Sequence, residues 1–496
     1  MASLSPGADI DHRGTPFTDS LLRLLIRPLR DPTTGRTHFG AADFKEASFS
    51  GPARFGLAQF SGNASFYGAQ FADWASFNWT RFAARASFGK AQFLGDAFFE
   101  GTQFSGYSWF SEARFALMST FGPVVCAKRV DLSGALFEAP ATLEIAALEV
   151  LCQRTQWEST ATLRLRYAAV DLNHAVLSAP LAITFHTEPF TRGRLLDERL
   201  LASFKSAVQV VSVRGVNAAH LVMTDIDLSD CLFSGAFHLD QLRLEGRCTF
   251  ARPPIGLHRH FIWPYRWTRR RALAEEHHWR AERASEPAPH PPLSQAGSPR
   301  HWRTRPNRSG PGRTPGPDEV AAVYRQLRKA FEDSKNEPGA ADFYYGEMEM
   351  RRHDSAATSK GERCLLWGYW LLSGYGLRAS RAIGWLLAIM SLTVLLLMGI
   401  GLPSHNPDPT TIGTLQGGKI TLHTKTSDPA LHGTWSQHVT WARAEKASRV
   451  AVNSVVFRTS GQYLTTAGTY IEMASRLLEP ALLALAILSA RGRIKR

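Results

Sequence analysis

Phenylalanine returns along the early part of this 496-residue chain at a fixed beat. One set falls at Phe44, Phe55, Phe66, Phe77, Phe88, Phe99 and Phe110, and a second at Phe49, Phe60, Phe71, Phe82, Phe93, Phe104 and Phe115. The sets interleave with alternating steps of five and six, so the repeating unit is eleven residues. Two positions before each ring stands a small residue, as at Ala47, Ala53, Ala58, Ala64, Ala69 and Ala75, with Thr80, Thr102 and Ser108 in the same role. An eleven-residue period also suits a right-handed helical supercoil. Gly51, Pro52, Gly62, Gly68, Gly95 and Gly106 exclude it, because glycine costs a helix interior about 1 kcal/mol and proline about 3. What remains is a solenoid of short strands, in which large and small inward side chains alternate so that rings can stack along a narrow axis.

The small-x-Phe triplet in ADFKEASF, ASFYGAQF and ASFGKAQF resembles the pentapeptide-repeat proteins. The resemblance implies a right-handed quadrilateral β-helix with four five-residue sides per coil, each turning its central large residue and the small residue before it inward. Here every other side takes six residues, which predicts a coil of about 22. The solenoid is assigned to 39–250: regular over 39–121, degenerate over 122–250, where VDLSGALF and VDLNHAVL predict irregular continuing coils. In the preceding segment, 1–38, Leu21, Leu22, Leu25, Ile26 and Leu29 have helical spacing and predict a lid on the first coil. Nothing there has the form of a secretory signal.

The net charge of +14 is concentrated, since residues 251–316 hold 13 Arg against 4 Glu. Within 251–283, HRHFIWPYRWTRRR mixes guanidinium groups and rings, a combination that suits nucleic acid or an anionic membrane surface. We read it as a solvated connector, with the membrane preferred over nucleic acid because apolar spans follow. Residues 284–317 carry nine of the 27 prolines and predict a disordered linker between solenoid and C-terminal unit. Cys126, Cys152, Cys231, Cys248 and Cys364 form no Cys-x-x-Cys pair, and His238, His258, His260, His277 and His278 share no ligand spacing. No disulfide framework, metal or other cofactor is expected.

Residues 318–362 predict a helical hairpin, with Val320, Val323, Tyr324, Leu327 and Phe331 as one apolar stripe and Asp342, Glu347 and Glu349 on a wet face. The last segment, 363–496, reads as a two-span membrane region. Ala382 to Leu402 is uncharged and long enough to cross a hydrocarbon core, with Trp367, Tyr369, Trp370 and Tyr375 before it as an interfacial belt. Gly376, Ser380, Gly384 and Ala388 form a small-residue stripe that invites another helix. A second span at about 470–490 must include Glu472, Arg476 and Glu479; Glu472 and Arg476 can pair along the helix, which leaves Glu479 needing an outside partner. Arg378 and Arg381 before the first span, and Arg491, Arg493, Lys495 and Arg496 after the second, predict that both termini face the cytoplasm.

A short helix expected at about 452–464, followed by Thr466 and Gly468, is similar in order to two-span pore-loop channels, in degenerate form: a second filter glycine is missing. YRQLRKAFED, ADFYYGEMEMRR and the two spans together resemble the membrane-anchored pentapeptide-repeat proteins of actinobacteria. No phosphate loop, nucleophile elbow or dinucleotide fingerprint is present, so catalysis is not expected. The expectation is a plasma-membrane scaffold whose cytoplasmic solenoid binds an unidentified protein partner, with membrane lipids around spans that can also carry a homo-oligomer contact. The alternative is an ion-channel-like protein regulated by its solenoid. A DNA mimic that binds topoisomerase is a minor alternative, disfavoured because residues 31–121 hold 7 basic and 7 acidic side chains. Nucleic acid is not expected as a partner.

Overall fold

Alternating small and large inward residues are realised as four columns of stacked rings. Phe39, Phe60, Phe82 and Phe104 follow one another at 4.6, 4.8 and 5.0 Å. Phe44, Phe66, Phe88 and Phe110 do so at 5.1, 5.0 and 4.8 Å. Phe55, Phe77 and Phe99 stand 5.3 and 5.2 Å apart, and the longest column runs from Phe17 through Phe49, Phe71, Phe93, Phe115 and Phe137 to Trp157. Rings of adjacent columns meet edge to face, as Phe66 and Phe77 do at 5.2 Å and 81°. Offset stacks and edge contacts are the two arrangements that aromatic quadrupoles favour.

The computed structural model describes residues 4–191, 196–254, 258–260, 263–265, 268–283, 302–304, 313–404, 409–416, 419–426, 431, 439–455 and 462–494. They form two compact units, Met1–Asp354 and Ser355–Arg496. In the first, two-residue strands pair in parallel from coil to coil: Ala42 with Ala64, Ala64 with Ala86, and Ala86 with Ser108, a step of 22 residues. The small positions are buried, and where one is a threonine its hydroxyl is satisfied. Thr80 Oγ1 donates to the Phe55 carbonyl and Thr102 Oγ1 to that of Phe77, both at 2.8 Å.

One corner of every coil needs a left-handed residue. Glu46, Gly68, Lys90, Glu112, Gly134, Arg154 and His174 supply it with φ between 54° and 69°. Only two are glycines, so at the other five the stacked ladder holds a side-chain-bearing residue in a region that it rarely enters.

Of the stretch expected to be irregular, the part up to Phe185 is regular at a different gauge, while later pairings such as Leu181 with Leu221 and Val222 with Arg243 do not keep one step. Between Thr120–Asp131 and Ala141–Leu151 the register advances from 22 to 20 residues through two shifts. Beyond it, Ala141 pairs with Ala161 and Ala161 with Leu181, a step of 20 residues, four strict fives. Leucine, isoleucine and valine now fill the axis, with Leu143, Ile145, Val150, Leu163, Leu165 and Val170 all fully buried. The turn residues at 134, 154 and 174 keep that spacing. Outside this wall, Phe190, Leu196 and Leu201 pack on Val125 and Ala146. Arg166 fastens the segment: it pairs with Glu198 at 3.0 Å and donates to the carbonyls of His186 and Thr187.

Both ends of the solenoid are covered. Helix α1, Asp19–Ile26, is capped by the Thr18 hydroxyl and turns Leu22 and Leu25 into the core, with Leu29 following. At the other end, helices α2 (Ala274–Arg283), α3 (Pro317–Asp333) and α4 (Glu337–His353) close over the last coil. Phe250 meets Phe331 at 5.9 Å and Phe343 at 5.1 Å, and Lys329 bonds Asp240 at 2.8 Å. The unit boundary therefore falls after Asp354 rather than at 284–317, because the stripe Val320, Tyr324, Leu327 and Phe331 is buried in the solenoid's own core. Residues 284–301 and 305–312 of the expected linker, and Arg266 and Trp267 of the basic segment, lie outside the described residues. Trp302 and Arg303 between them are packed: Arg280 lies 5.0 Å from the Trp302 ring and Arg303 pairs with Asp230 at 2.7 Å.

The second unit contains helices α5 (Lys360–Ser373), α6 (Ala379–Leu396, continued by a π-helical turn Leu397–Gly401), α7 (Trp441–Val455) and α8 (Thr466–Ile494), with an antiparallel hairpin Pro409–Gln416/Lys419–Thr426. Only Ala379–Gly401, 23 residues, is both long and apolar enough to cross a membrane among the described residues. The short helix is Trp441–Val455 and overlaps the expected 452–464 only at its end; 456–461 lie outside the described residues, and 462–465 before α8 are not helical.

Candidate functional site

On α8 the residues turned inward are Gly468, Glu472, Ser475, Glu479, Leu482, Ala486 and Ser489, spaced alternately by four and three. That is a heptad-like seam, and it is half polar. The outward residues are Tyr470, Met473, Leu477, Leu478, Ile487 and Leu488. Helix α6 mirrors this arrangement, with Ala382, Leu386 and Thr393 buried and Ile383, Trp385, Leu387, Leu392 and Leu395 exposed. A pair of helices in water hides leucine and shows charge; this pair does the reverse.

Within the seam, Arg476 pairs with Glu472 at 2.7 Å, one turn away. Glu479 is fully buried and accepts a hydrogen bond from Thr393 Oγ1 of α6 at 3.0 Å, while its second oxygen has no hydrogen-bond partner among the described residues. Thr393 was not singled out from sequence, where Ser391 stands beside it in the same leucine-rich stretch. Gly376, Ser380, Gly384 and Ala388 do not meet α8. Ser380, Gly384 and Ala388 are exposed, and Gly376 sits in the turn before α6 with φ 73°, bonded through its N–H to Ser373 Oγ at 3.0 Å. The close helix approach is made instead by Gly401 and Gly468, where a side chain on Gly468 would run into the Gly401 backbone.

Thr466 and Gly468 form no filter-like backbone. They open α8, where Thr465 Oγ1 donates to the Ile400 carbonyl at 2.7 Å and accepts from Gly468 N–H at 3.1 Å. Arg443 of α7 completes the junction by donating to the carbonyls of Met398, Leu402 and Pro403 at 2.7–3.2 Å. These carbonyls end a helix and would otherwise be bare. Arg443 had no signature in the sequence, because its partners are backbone atoms 40 to 45 residues away.

A second polar concentration lies at the closed end of the solenoid. Arg270, expected in a solvated connector, is buried and forks onto both oxygens of Glu276 at 2.6 Å. Arg280 joins Glu276 at 2.8 Å and Glu349 at 3.2 Å, and Glu349 holds Arg352 at 2.7 Å. Tyr324 donates to Glu276 at 2.5 Å and accepts from the Leu273 N–H at 2.9 Å. Burial alone would raise the Glu276 carboxyl, but Arg270 and Arg280 hold it well below the usual carboxylate range. Glu347, expected on a wet face, is also buried and carries Arg325 and Arg328 at 2.9 Å each. Glu347 takes its cations from α3, Glu349 takes one from α2, and Glu276 takes Arg270 from the segment before α2, so the cluster joins elements. His277 and His278 are buried here, burial pushing the His277 imidazole well down. No group of three His, Cys, Asp or Glu among the described residues is placed to hold a metal ion.

Residues 35–78 match the family model for pentapeptide repeats (9 copies). With the stacked columns, the match supports a pentapeptide-repeat protein: a β-solenoid followed by a helical C-terminal region. No curated protein and no solved structure matches the chain.

Proposed function

We propose that this chain is a membrane-tethered binding scaffold without catalytic activity, its solenoid held at the cytoplasmic face of the plasma membrane by α6 and α8 as two spans. The observation that carries the reading is the inverted burial of that pair, which buries Glu472, Ser475, Glu479 and Thr393 and exposes leucines. Lipid rewards such a surface, and intramembrane charge is tolerated when it faces a neighbouring helix. Arg378 and Arg381 at the start of α6 and Arg491 and Arg493 at the end of α8 support cytoplasmic termini. Lys495 and Arg496 lie outside the described residues. The solenoid contributes flat, rigid outer faces, the kind of surface that repeat proteins use for protein partners. The test is fractionation: the full chain should stay with membranes through an alkaline carbonate wash, while residues 1–354 should be soluble and folded. Release of the full chain by carbonate would overturn the tether.

Ion conduction is the second reading, favoured by the polar seam between α6 and α8. Purified protein in planar bilayers should give no unitary currents if the scaffold reading holds; reproducible currents would replace it.

A further inference from the structure

Helix α5 is separated from α6 by a turn in which Gly374, Tyr375 and Gly376 all have left-handed φ, between 54° and 73°. It is therefore a helix of its own and not an extension of the first span. Its Ser359 N-cap accepts from Glu362 N–H at 3.2 Å. Cys364, Leu365, Trp367 and Leu371 are exposed along it, Leu365 at 76%. Apart from Glu362 in the first turn of α5, the charge around this apolar surface has one sign. No Asp or Glu occurs from 363 to 407, whereas Arg363, Arg378 and Arg381 do. Lys360 and Arg363 make no ion pair among the described residues, and Arg363 Nε has no hydrogen-bond partner there. Arg381 lies 5.1 Å over the Trp370 ring and donates to the Trp370 carbonyl at 3.2 Å, again with no carboxylate partner among the described residues. Trp385 Nε1 on α6 donates to the Leu371 carbonyl at 3.1 Å, fixing α5 against the start of the span.

Apolar rings and leucines beside uncompensated guanidinium groups match one environment, the boundary where acyl chains give way to phosphate headgroups. The geometry points to α5 as an in-plane interfacial helix that docks on anionic phospholipid, with Trp367 and Leu371 among the acyl carbons and Lys360, Arg363 and Arg381 on the phosphates. The inference rests on the tether reading and adds to it a lipid class and a surface.

The native thiol allows a direct test, since Cys126, Cys152 and Cys231 are buried and Cys248 half-buried. The full chain is labelled at Cys364 with an environment-sensitive fluorophore and reconstituted into vesicles of phosphatidylcholine with or without phosphatidylglycerol. The lipids are brominated near the headgroup or deep in the chain. The expected result is quenching by shallow bromines, protection from aqueous iodide, and stronger quenching by brominated phosphatidylglycerol than by brominated phosphatidylcholine. The double variant R363Q/R381Q should lower that preference about five-fold per charge removed, and R363K/R381K should retain it. A reference label at Leu387→Cys in a Cys364→Ser background, on the exposed face of α6, separates the two readings. If it is quenched by deep bromines while the Cys364 label is open to iodide, the tether stands and the interfacial helix falls. If it too is open to iodide, the tether falls and takes the inference with it. Equal quenching by both lipids, in the wild type as in R363Q/R381Q, would remove the anionic preference.

Discussion

At the scale of single residues the solenoid is intolerant where it is most repetitive. Phe77 stacks between Phe55 and Phe99 and is fully buried. Phe77→Asp would place a carboxylate where no cation can reach, at a cost of several kcal/mol. Circular dichroism on residues 1–354 should show loss of cooperative unfolding, and an unchanged melting temperature would mean that the ring does not face the axis. His353 makes a subtler demand. Burial, then Arg280, pushes its imidazole down to about 4 from 6.5, and its Nδ1 lies 2.8 Å from the Glu349 carbonyl, positioned to donate to it. Above pH 6.5 the folded and unfolded chains are both neutral at this site and the full stability is present. As pH falls from about 6.5 toward about 4, the unfolded chain takes up a proton that the folded chain refuses, and stability declines by on the order of 2–3 kcal/mol. His277, also depressed by burial, acts in the same direction, whereas burial raises Glu275, which acts oppositely. Urea midpoints of 1–354 should fall between pH 7 and 5, and His353→Gln should flatten that slope; equal slopes would remove His353 from the account.

Among elements, the sequence revealed periods more readily than partners. The phenylalanine columns were legible because ring and small residue alternate without interruption from Phe39 to Phe121, and 22 residues per coil followed from the five-and-six step. The 20-residue coils were obscured because Leu, Val and Ile replace Phe, and an aliphatic run such as Ala141–Leu151 carries no unique beat. Helices α3 and α4 were readable as helices, yet an apolar stripe says that a face is covered without saying by what. Helix α2 was missed altogether: Glu275, Glu276, His277, His278 and Arg280 look like surface, and their burial depends on Arg270, Tyr324 and Glu349, brought in from three other places in the chain. In the second unit the charged helix was legible through Glu472 and Arg476, but its partner residues Thr393 and Gly401 were not, because the exposed Gly384 stripe offered a simpler answer. The same non-local logic yields a prediction about the segment read as a linker. Trp302 is 9% exposed against Arg280 and His277, so Trp302→Ala should destabilise the unit by about 3 kcal/mol, measured by denaturant unfolding of 1–354. Deletion of 285–300 should cost far less, and a Trp302→Ala stability equal to that of the parent would show that Trp302 adds nothing.

For the whole molecule, the covers on the solenoid matter more than any one coil. Eight strands stack in one of its sheets, each adding its backbone groups to the next at inter-strand distance. Such a stack has no internal reason to stop. Without α1, the first coil would offer unpaired N–H and C=O groups beside a ring of phenylalanines, a template for another chain. Leu22→Asp with Leu25→Asp should therefore turn a monodisperse unit into one that elongates with time and seeds fresh protein. Light scattering and thioflavin fluorescence would report this, and a variant that merely unfolds without growing would contradict it. Seen this way, α1 and the α2–α4 cap are chain terminators in a polymer chemist's sense: the solenoid is a one-dimensional crystal whose growth is quenched at both faces, and its length is written in the gene instead of set by concentration.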